Sequence, residues 1–396
     1  MAEPAPRTLL VTVTGADRPG VTSTMFEALS APGVEVLDVE QVVVRGRLTL
    51  GVLVSAGNQE GSLSAAATAA GRSLGMSVSC IAGQGDNQPR SGLALHVTLI
   101  GAPLRPIAVS SIASVLAARG ANIDRIRRLS RYPVSTLELD VSSVADVDEL
   151  RRELALEAAS RAVDVAVSPA GLARRGRRLV VMDVDSTLIQ DEVIELLARH
   201  AGRVEQVAAV TERAMRGELD FAQSLHERVA ALTGLPSSVL DEVRAAVRLT
   251  PGARTLVRTL KRLGFSVALV SGGFVEVVQP LAAELGIAHV QANRLEVVDG
   301  VLTGRVVGEV LDRAGKAAAL RRFAELEGLP MSRTIAVGDG ANDLDMLAAA
   351  GLGVAFNAKP VVREQADTSV NVPYLDAVLF LLGITREEIE AADAEG

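Results

Sequence analysis

The pattern of apolar and polar residues along the chain changes near residue 170. Before that point, strand-like runs such as "TLLVTVTG" and "LTLGVLVSA" are separated by helix-like stretches such as "SLSAAATAAGRSLG". The predicted order is βαββαβ, and it occurs twice, over residues 1–86 and 91–169, with the turn-rich stretch "QGDNQPRSG" between the copies. Two successive units of this order predict a pair of α+β modules of the ferredoxin-like kind.

From about residue 175 onward, single strands alternate with helices. The apolar runs "RRLVVMDV", "FSVALVS" and "TIAVGDG" predict parallel strands, so residues 175–396 are expected to form a Rossmann-like α/β domain with helices on both faces of the sheet. Residues 191–255 show only helical patterns, and this insertion is expected to form a cap over the sheet edge. The stretch "HVQANRLEVVDGVLTGRVVG" predicts a β-hairpin that turns at Asp299-Gly300.

Composition narrows the classes of protein that fit this pattern. A hydrophobic content of 48% and a charged content of 22% over 396 residues are typical of a folded protein with two or three domains. The chain has no apolar run of membrane-spanning length, no pattern typical of a signal peptide and one cysteine, Cys80, so we expect a cytoplasmic protein without a membrane partner.

The charge distribution argues against a nucleic-acid partner. The net charge is -8, whereas general affinity for nucleic acid requires an excess of positive charge. A local cluster of arginines is interpreted as a solvated linker ahead of the α/β domain rather than as a phosphate-backbone patch. It comprises Arg174, Arg175, Arg177 and Arg178.

Three of the predicted parallel strands end in polar residues of a particular kind. The first ends in "DVDST" (183–187), the second in "SGG" (271–273) and the third in "GDGAND" (338–343). Because ligands bind beyond the carboxyl ends of the strands in an open parallel sheet, we expect these three ends to face one crevice. Lys316 lies at the start of a predicted helix ahead of the third strand.

The residue types at these strand ends suit phosphoryl transfer. Four aspartates in one crevice would repel one another unless a cation lay between them, and Mg²⁺ with oxygen ligands is the expected cation. A lysine, a serine hydroxyl and glycine N–H groups would complete a cradle for a phosphoryl group. Asp183 could attack phosphorus, and Asp185, two residues further on, could transfer the proton.

Each of these motifs also has a simpler explanation. "DVDST" could be a strand end followed by a helix N-cap, "GDGAND" could be a loop, and Lys316 could be a surface lysine. Their occurrence together, in order, at three strand ends favours the site. The chain also has only three lysines among forty basic residues, and a compact ammonium suits a single phosphoryl oxygen better than a guanidinium does.

These motifs resemble those of the haloacid-dehalogenase-like phosphatase superfamily, and within it the phosphoserine phosphatase family. The similar features are "DVDST", a glutamate in "DEVIELLA", the cap pattern around "MRG" (215–217), "SGGF" and "VGDGANDLDML". The resemblance covers about residues 177–385 and lacks none of the family's motifs. It implies hydrolysis of O-phospho-L-serine to L-serine and phosphate, the last step of serine biosynthesis.

The resemblance also implies a role for individual residues. Asp183 would be the nucleophile that becomes phosphorylated and Asp185 the general acid/base, and Mg²⁺ would be held by Asp183, Asp339 and the backbone carbonyl of Asp185. Glu192 would pair with the substrate ammonium and Arg228 with its carboxylate. The remaining substrate-binding residues would be Met215, Phe221, Ser271, Gly272, Gly273, Lys316, Asn342 and Asp343.

The charges of an amino-acid substrate agree with two of these roles. Such a substrate carries one cation and one anion besides its phosphate, and an arginine can bind a carboxylate through two parallel hydrogen bonds. Simpler explanations stay open, because Glu192 also suits the start of a helix and Arg228 could lie on a solvated helix face. Met215 and Phe221 could likewise be ordinary core residues.

The two N-terminal modules resemble ACT domains, which are regulatory modules of amino-acid metabolism. "TVTGADRPGVTSTMFEALS" is close to their consensus, and the resemblance implies an effector loop at Asp17 and Gly20, L-serine as the effector and a homodimer. The second module lacks Asp and Gly in the corresponding loop, so we expect no ligand there. A turn with Pro19 near the first helical position would explain the same residues of the first loop.

Two other functions remain open at this point. One is a phosphatase for a different small phosphate ester, or a phosphomutase, of the same superfamily. The other is an amino-acid-sensing protein whose catalytic domain is vestigial, although every motif residue is present.

Overall fold

The structure, a computed structural model, describes residues 6–85, 93–171, 176–216 and 218–394. The chain divides into two units, residues 1–90 and 91–396. The division lies in the turn-rich stretch that the sequence predicts as a linker, although residues 86–92 themselves are outside the described part of the chain. Arg174 and Arg175 of the arginine cluster are also outside it, while Arg177 donates to the backbone carbonyl of Glu327 (3.0 Å).

The first unit contains the first βαββαβ module. Alternate residues of its central strand, such as Val11 and Val13, are buried against the two helices, as the period of a half-buried strand requires. The four strands pair antiparallel in the order β2-β3-β1-β4. The elements are β1 (Arg7–Ala16), α1 (Val21–Leu29), β2 (Val36–Val44), β3 (Arg47–Ser55), α2 (Glu60–Ser73) and β4 (Ser77–Gln84).

The second module repeats this arrangement at the start of the second unit. Its sheet has the equivalent order β6-β7-β5-β8, and its helices pack on one face of it around Ile112 and Leu154. The predicted duplication of βαββαβ units is therefore confirmed. The elements are β5 (Leu93–Gly101), α3 (Pro106–Ala118), β6 (Asn122–Ser130), β7 (Ser135–Val144), α4 (Val147–Ser160) and β8 (Asp164–Pro169).

A seven-stranded sheet forms the centre of the α/β domain. Its order is β12-β11-β10-β9-β13-β14-β15, and all neighbours pair parallel except β11 and β12. The central strand β9 is buried on both faces, which explains its continuous apolar run. The strands are β9 (Leu179–Met182), β10 (Ser266–Phe274), β11 (His289–Val298), β12 (Val301–Val307), β13 (Thr334–Gly338), β14 (Leu352–Phe356) and β15 (Thr368–Val370).

In the described part of the cap, residues 191–216 and 218–255, four helices lie between β9 and the next core helix. The two segments that connect the cap to the sheet meet in a bridge between Ile189 and Leu249, and Arg248 pairs with Asp191 across it (2.9 Å). The cap helices lie within the predicted insertion at 191–255. They are α5 (Val193–Ala201), α6 (Val204–Met215), α7 (Phe221–Ala230) and α8 (Val239–Ala246).

Helices of the α/β domain cover both faces of its sheet. One buried cluster includes Val180 and Met182 of β9, and the other includes Leu179 and Val181 from the opposite face of the same strand. The helices are α9 (Ala253–Arg262), α10 (Val275–Leu285), α11 (Arg313–Leu326), α12 (Leu344–Ala349), α13 (Pro360–Gln365), α14 (Val378–Leu381) and α15 (Arg386–Ala394).

The predicted β-hairpin is formed by β11 and β12 and turns where expected. Asp299 (φ 51°) and Gly300 (φ 76°) both have positive φ, as a tight primed turn requires. The hairpin supports the cap, because Gly234 N–H, which follows α7, donates to the carbonyl of Leu302 (2.9 Å).

The second module is attached to the edge of the large sheet. Asn371, which follows β15, donates its backbone N–H to Asp164 Oδ2 (2.7 Å) and its amide to Asp164 Oδ1 (2.6 Å). Ile100, Leu129 and Ala166 of the module belong to the same buried cluster as the α/β core. Throughout the described residues, every helix is too short or too polar to span a lipid bilayer.

Candidate active site

The three polar strand ends predicted to share a crevice are neighbours in the sheet. β9 lies between β10 and β13, and Asp183 N–H donates to the carbonyl of Val337 (2.9 Å) at the carboxyl edge of the sheet. These ends and the cap enclose a cavity of about 730 Å³. The predicted site residues that line it are Asp183, Asp185, Glu192, Phe221, Arg228, Gly272, Gly273, Asp339 and Asn342.

An ion-paired cluster forms the floor of this cavity, and we use "site floor" for Asp183, Asp185, Lys316, Asp339 and Asp343. Lys316 is fully buried and donates to Asp183 Oδ1 (2.6 Å) and Asp343 Oδ1 (2.7 Å). Burial alone would lower the pKa of Lys316, but the two carboxylates outweigh it and raise the pKa above its ordinary value. The lysine is therefore a permanent cation next to Asp183.

Burial raises the pKa of Asp183 well above its ordinary value, and the neighbouring carboxylate of Asp343 raises it further. Burial and Asp343 likewise raise the pKa of Asp339 to about 6. Carboxylate oxygens of Asp183, Asp339 and Asp343 lie within 4.8 Å of one another. One lysine cannot neutralise this set of acids, so the donor set fits a hard divalent cation.

Two hydrogen bonds fix the carboxylate of Asp185, a site-floor residue that lines the cavity. Its Oδ1 accepts from the backbone N–H of Val193 (2.8 Å) and its Oδ2 from the hydroxyl of Ser271 (2.9 Å). Burial raises the pKa of Asp185, and both hydrogen bonds oppose the rise because they favour the charged form. A carboxyl group with a raised pKa can hold a proton and release it, as general acid/base catalysis requires.

Glycines at the end of β10 allow this close packing. A Cβ on Gly273 would lie 2.7 Å from Asp185 Oδ2, and a Cβ on Gly272 would lie 3.1 Å from the ring of Phe221. The carbonyl of Gly272 accepts from the amide of Asn293 (2.8 Å), whose own oxygen accepts from Leu311 N–H (2.7 Å). The glycine loop is thus fixed from the hairpin side.

The cap contributes the opposite side of the cavity, and we use "cap wall" for Glu192, Phe221 and Arg228. Glu192 Oε1 accepts from the hydroxyl of Ser186 (2.8 Å), a residue with a positive φ of 56°. Burial raises the pKa of Glu192 to about 7, the nearby Asp185 adds to the rise, and the Ser186 hydroxyl opposes it. Among the residues that the structure describes, no lysine or arginine forms an ion pair with this carboxylate, so it can accept a cation from a ligand.

Arg228 faces Glu192 from helix α7. Its Nε donates to the carbonyl of Ser224 (3.3 Å). Burial lowers the pKa of Arg228, while the carboxylates of Glu192 and Asp185 oppose that change. Its guanidinium is therefore available to an anion that enters the cavity. Met215 ends α6, but its side chain is outside the described part of the structure.

Not every predicted substrate-binding residue lies at the cavity surface. Ser271 and Lys316 are fully buried and bonded to site-floor carboxylates. Asp343 lies behind Lys316 and accepts from Gly340 N–H (3.0 Å). Contact of these three groups with a substrate stays a prediction.

Three residues donate hydrogen bonds that position other side chains or backbone of the site, a role that the sequence did not predict for them. Thr187 donates to Asp339 (3.3 Å), Ser186 to Glu192, and Asn293 to Gly272. The first two belong to "DVDST" and could have been considered with that motif. The only indication of a role for Asn293 in the sequence is that it is a polar residue within a predicted strand.

The predicted effector loop forms a tight turn before α1. Asp17 N–H donates to the carbonyl of Gly46 (2.8 Å), and Gly20 has a φ of 93°, a conformation that favours glycine. Both residues are exposed. This geometry explains the sequence of the loop, and effector binding there stays a prediction.

Comparison with known proteins identifies each part of the chain. Residues 180–348 match the haloacid dehalogenase-like hydrolase family, and residues 7–80 and 94–168 match two ACT domain families. The chain is 61% identical to a phosphoserine phosphatase from Streptomyces coelicolor, over 98% of this chain and 94% of the relative. It is 56% identical to one from Mycobacterium tuberculosis, over 99% of this chain and 97% of the relative.

Solved structures show the same relationship. A HAD family hydrolase from Salmonella enterica serovar Typhi matches with a TM-score of 0.63 and 30% identity, covering 73% of this chain and 98% of that structure. A substrate-bound phosphoserine phosphatase complex matches with a TM-score of 0.50 and 42% identity, covering 52% of this chain and 98% of that structure.

The fold and the site floor therefore define an enzyme of the haloacid dehalogenase-like hydrolase class that carries two ACT domains. Within that class, the chain belongs to the phosphoserine phosphatase family. The resemblance and the fold class inferred from the sequence are confirmed.

Proposed function

We propose that this chain hydrolyses O-phospho-L-serine to L-serine and phosphate with Mg²⁺, through a phosphorylated Asp183, as the last step of serine biosynthesis. One observation carries the proposal. A carboxylate that is ion-paired to a buried lysine shares a cavity with an acid and an arginine that together suit an amino acid. The names of the full-length relatives support the same substrate.

The first half of the reaction forms the phosphorylated enzyme. Asp183 Oδ attacks phosphorus in line with the seryl oxygen, the P–O bond to serine breaks, and Asp185 gives its proton to the departing oxygen. The fixed N–H of Val193 and hydroxyl of Ser271 stabilise the carboxylate that Asp185 becomes. Bound Mg²⁺, held by Asp183, Asp339 and the backbone carbonyl of Asp185, would neutralise charge on the phosphoryl oxygens.

The second half of the reaction releases phosphate. Asp185, now ionised, takes a proton from a water molecule that attacks phosphorus, and the bond from phosphorus to Asp183 breaks. Lys316 is positioned to stabilise the Asp183 carboxylate as it re-forms, because its ammonium already lies 2.6 Å from Oδ1. The cap excludes other water during the first half of the reaction.

The cap wall would select the amino-acid part of the substrate. The serine ammonium would pair with Glu192 and the carboxylate with Arg228, while Phe221 packs against the apolar carbon atoms. Esters without these two charges would leave Glu192 and Arg228, which are both half-buried, incompletely paired, which is unfavourable. This arrangement supports phosphoserine over other small phosphate esters.

The direct test is phosphate release from a panel of esters with and without Mg²⁺. O-phospho-L-serine should be hydrolysed with the highest kcat/KM, and chelation of the metal should abolish turnover. Glycerol phosphate controls for the phosphoryl group without the amino acid. Equal kcat/KM for both esters would reject the substrate assignment, and full activity after chelation would reject the metal.

Regulation by an amino acid is the second part of the proposal. The ACT match over residues 7–80 supports L-serine binding at the loop of Asp17 and Gly20, in a homodimer. We expect serine to change the activity of the wild type and to have less effect on an Asp17→Ala variant. Light scattering with and without serine measures the oligomeric state. An unchanged serine response in the variant would place the effector elsewhere.

A further inference from the structure

A fourth strand end reaches the carboxyl edge of the sheet that carries the active site. β14 pairs parallel with β13, the strand that precedes Asp339, and it ends at Phe356. Three residues further on, Lys359 is exposed and lines the same cavity as Asp183 and Asp339. The site described above gives Lys359 no role.

The backbone before Lys359 is held in one conformation. Asn357 has a positive φ of 44°, and its N–H donates to the carbonyl of Val370 on the neighbouring strand (2.9 Å). Ala358 is buried, and Pro360 is the first residue of α13. Asn357 has a backbone conformation that is rare for a residue other than glycine, and its contact with β15 and the nearby Pro360 hold it there. The backbone of Lys359 is therefore fixed beside the cavity.

Lys359 differs from the other two lysines of the chain in its contacts. Lys261 donates to the carbonyl of Gly286 (2.8 Å), and Lys316 is bound by two carboxylates of the site floor. Across residues 6–85, 93–171, 176–216 and 218–394, no carboxylate forms an ion pair with Lys359. Arg313, another cation that lines the cavity, is already bound to Asp345 (2.7 Å).

The cavity needs such a cation, because most of the charged groups that line it are acids. Asp183, Asp185, Glu192, Glu195 and Asp339 all contribute to its surface. A phosphate dianion that approaches the cavity is repelled by those of these carboxylates that are charged, and an exposed cation that lines the cavity offsets that repulsion.

We propose that Lys359 is a binding residue at the entrance of the cavity, which contacts the phosphoryl oxygens as the ester enters and as inorganic phosphate leaves. The proposal rests on the proposed function only in that the substrate is a phosphate ester. It requires no contact with the serine part.

The test compares Lys359→Met with Arg363→Met. Arg363 lies on α13, does not line the cavity, and its substitution changes the net charge equally. For Lys359→Met we expect kcat/KM to fall roughly threefold to tenfold at low ionic strength, with kcat nearly unchanged and the loss shrinking as salt is added. Lys359→Arg should retain most of the activity, and Arg363→Met should match the wild type.

Inorganic phosphate and an aryl phosphate separate this proposal from the substrate assignment. The inhibition constant for phosphate, measured with p-nitrophenyl phosphate as substrate, should rise by a similar factor in Lys359→Met. Failure of the wild type to prefer phosphoserine would reject the assigned substrate and leave this comparison intact. Equal constants in Lys359→Met and Arg363→Met, or a loss that is independent of salt, would overturn the role of Lys359.

Discussion

The site floor and the cap wall hold their charged groups in different ways. On the floor, Lys316 is fully buried and bonded to two carboxylates at 2.6 and 2.7 Å, so Lys316, Asp183 and Asp343 are ion-paired before a substrate binds. On the wall, Glu192 accepts one hydroxyl and Arg228 donates to one carbonyl, and both retain unused hydrogen-bonding capacity. The floor is preorganised by the protein, whereas under the proposed function the charges of a substrate would complete the wall.

This difference predicts different consequences of substitution. Removal of a floor charge leaves its partner buried and uncompensated, which destabilises the fold as well as the transition state. Removal of a wall charge deprives the substrate of a partner and should act mainly on kcat/KM and selectivity. The following experiments test whether the two sides separate in this way.

The largest effect is expected for Asp183→Asn. The amide has the same shape but is a far weaker nucleophile, so kcat should fall by about 10⁴-fold or more. Phosphate release measures the loss, and Asp148→Asn, which changes an exposed acid on α4 that pairs with Arg151 (3.2 Å) and does not line the cavity, is the control that should stay close to the wild type. Activity within tenfold of the wild type would remove Asp183 from the role of nucleophile.

The Lys316→Met substitution should lower the stability of the fold more than a substitution in the cap wall does. Asp183 and Asp343 would lose their shared cation, so the free energy of unfolding without metal should fall by about 3–5 kcal/mol. Added Mg²⁺ should restore part of this loss, because the ion binds the folded state and neutralises the same carboxylates. Urea unfolding measures both values. A variant as stable as Arg228→Met would contradict the proposed difference.

Arg228→Met should act on selectivity more than on stability. The carboxylate of phosphoserine would lose its charged hydrogen bonds, so kcat/KM for phosphoserine should fall roughly 10- to 100-fold. Glycerol phosphate has no carboxylate, and its slower hydrolysis should change little. An equal loss for both esters would place Arg228 in the folding of the cap rather than in substrate recognition.

The sequence predicted which strand ends form the site floor more completely than it predicted the contacts that hold the floor together. "DVDST", "SGG" and "GDGAND" end parallel strands, and the geometry of such sheets brings the ends to one edge whatever the helices do. The sequence could not reveal that Lys316 lies fully buried between Asp183 and Asp343, because that contact joins segments 133 residues apart. Local periodicity contains no information about such a contact.

Short and irregular elements were also beyond sequence patterns. β15 has three residues, Thr368–Val370, and was not predicted because so short a run shows no period. It nevertheless adjoins the second module and accepts the N–H of Asn357 that fixes the turn before Lys359. The positive φ of Ser186, which orients its hydroxyl toward Glu192, likewise follows from tertiary packing rather than from residue type.

The smallest expected effect is the pH dependence of kcat/KM that arises from Glu192 of the cap wall. Burial and the nearby Asp185 raise the pKa of Glu192 to about 7, so its carboxylate is charged above that pH and neutral below it. Only the charged form pairs with the substrate ammonium, and kcat/KM for phosphoserine should therefore decline as pH falls from 8 to 6. The phosphate group titrates in the same range, with a pKa of about 6.

The ratio of kcat/KM for phosphoserine to kcat/KM for glycerol phosphate isolates the contribution of Glu192. Titration of the phosphate and of the site floor affects both esters alike, whereas the ammonium is present in only one. In the wild type this ratio should fall by up to about tenfold between pH 8 and 6, because a group with a pKa near 7 loses most of its charge over that range. In Glu192→Gln the ratio should be low and independent of pH. A ratio that still falls in Glu192→Gln would assign the titration to another group and leave Glu192 as a neutral part of the wall.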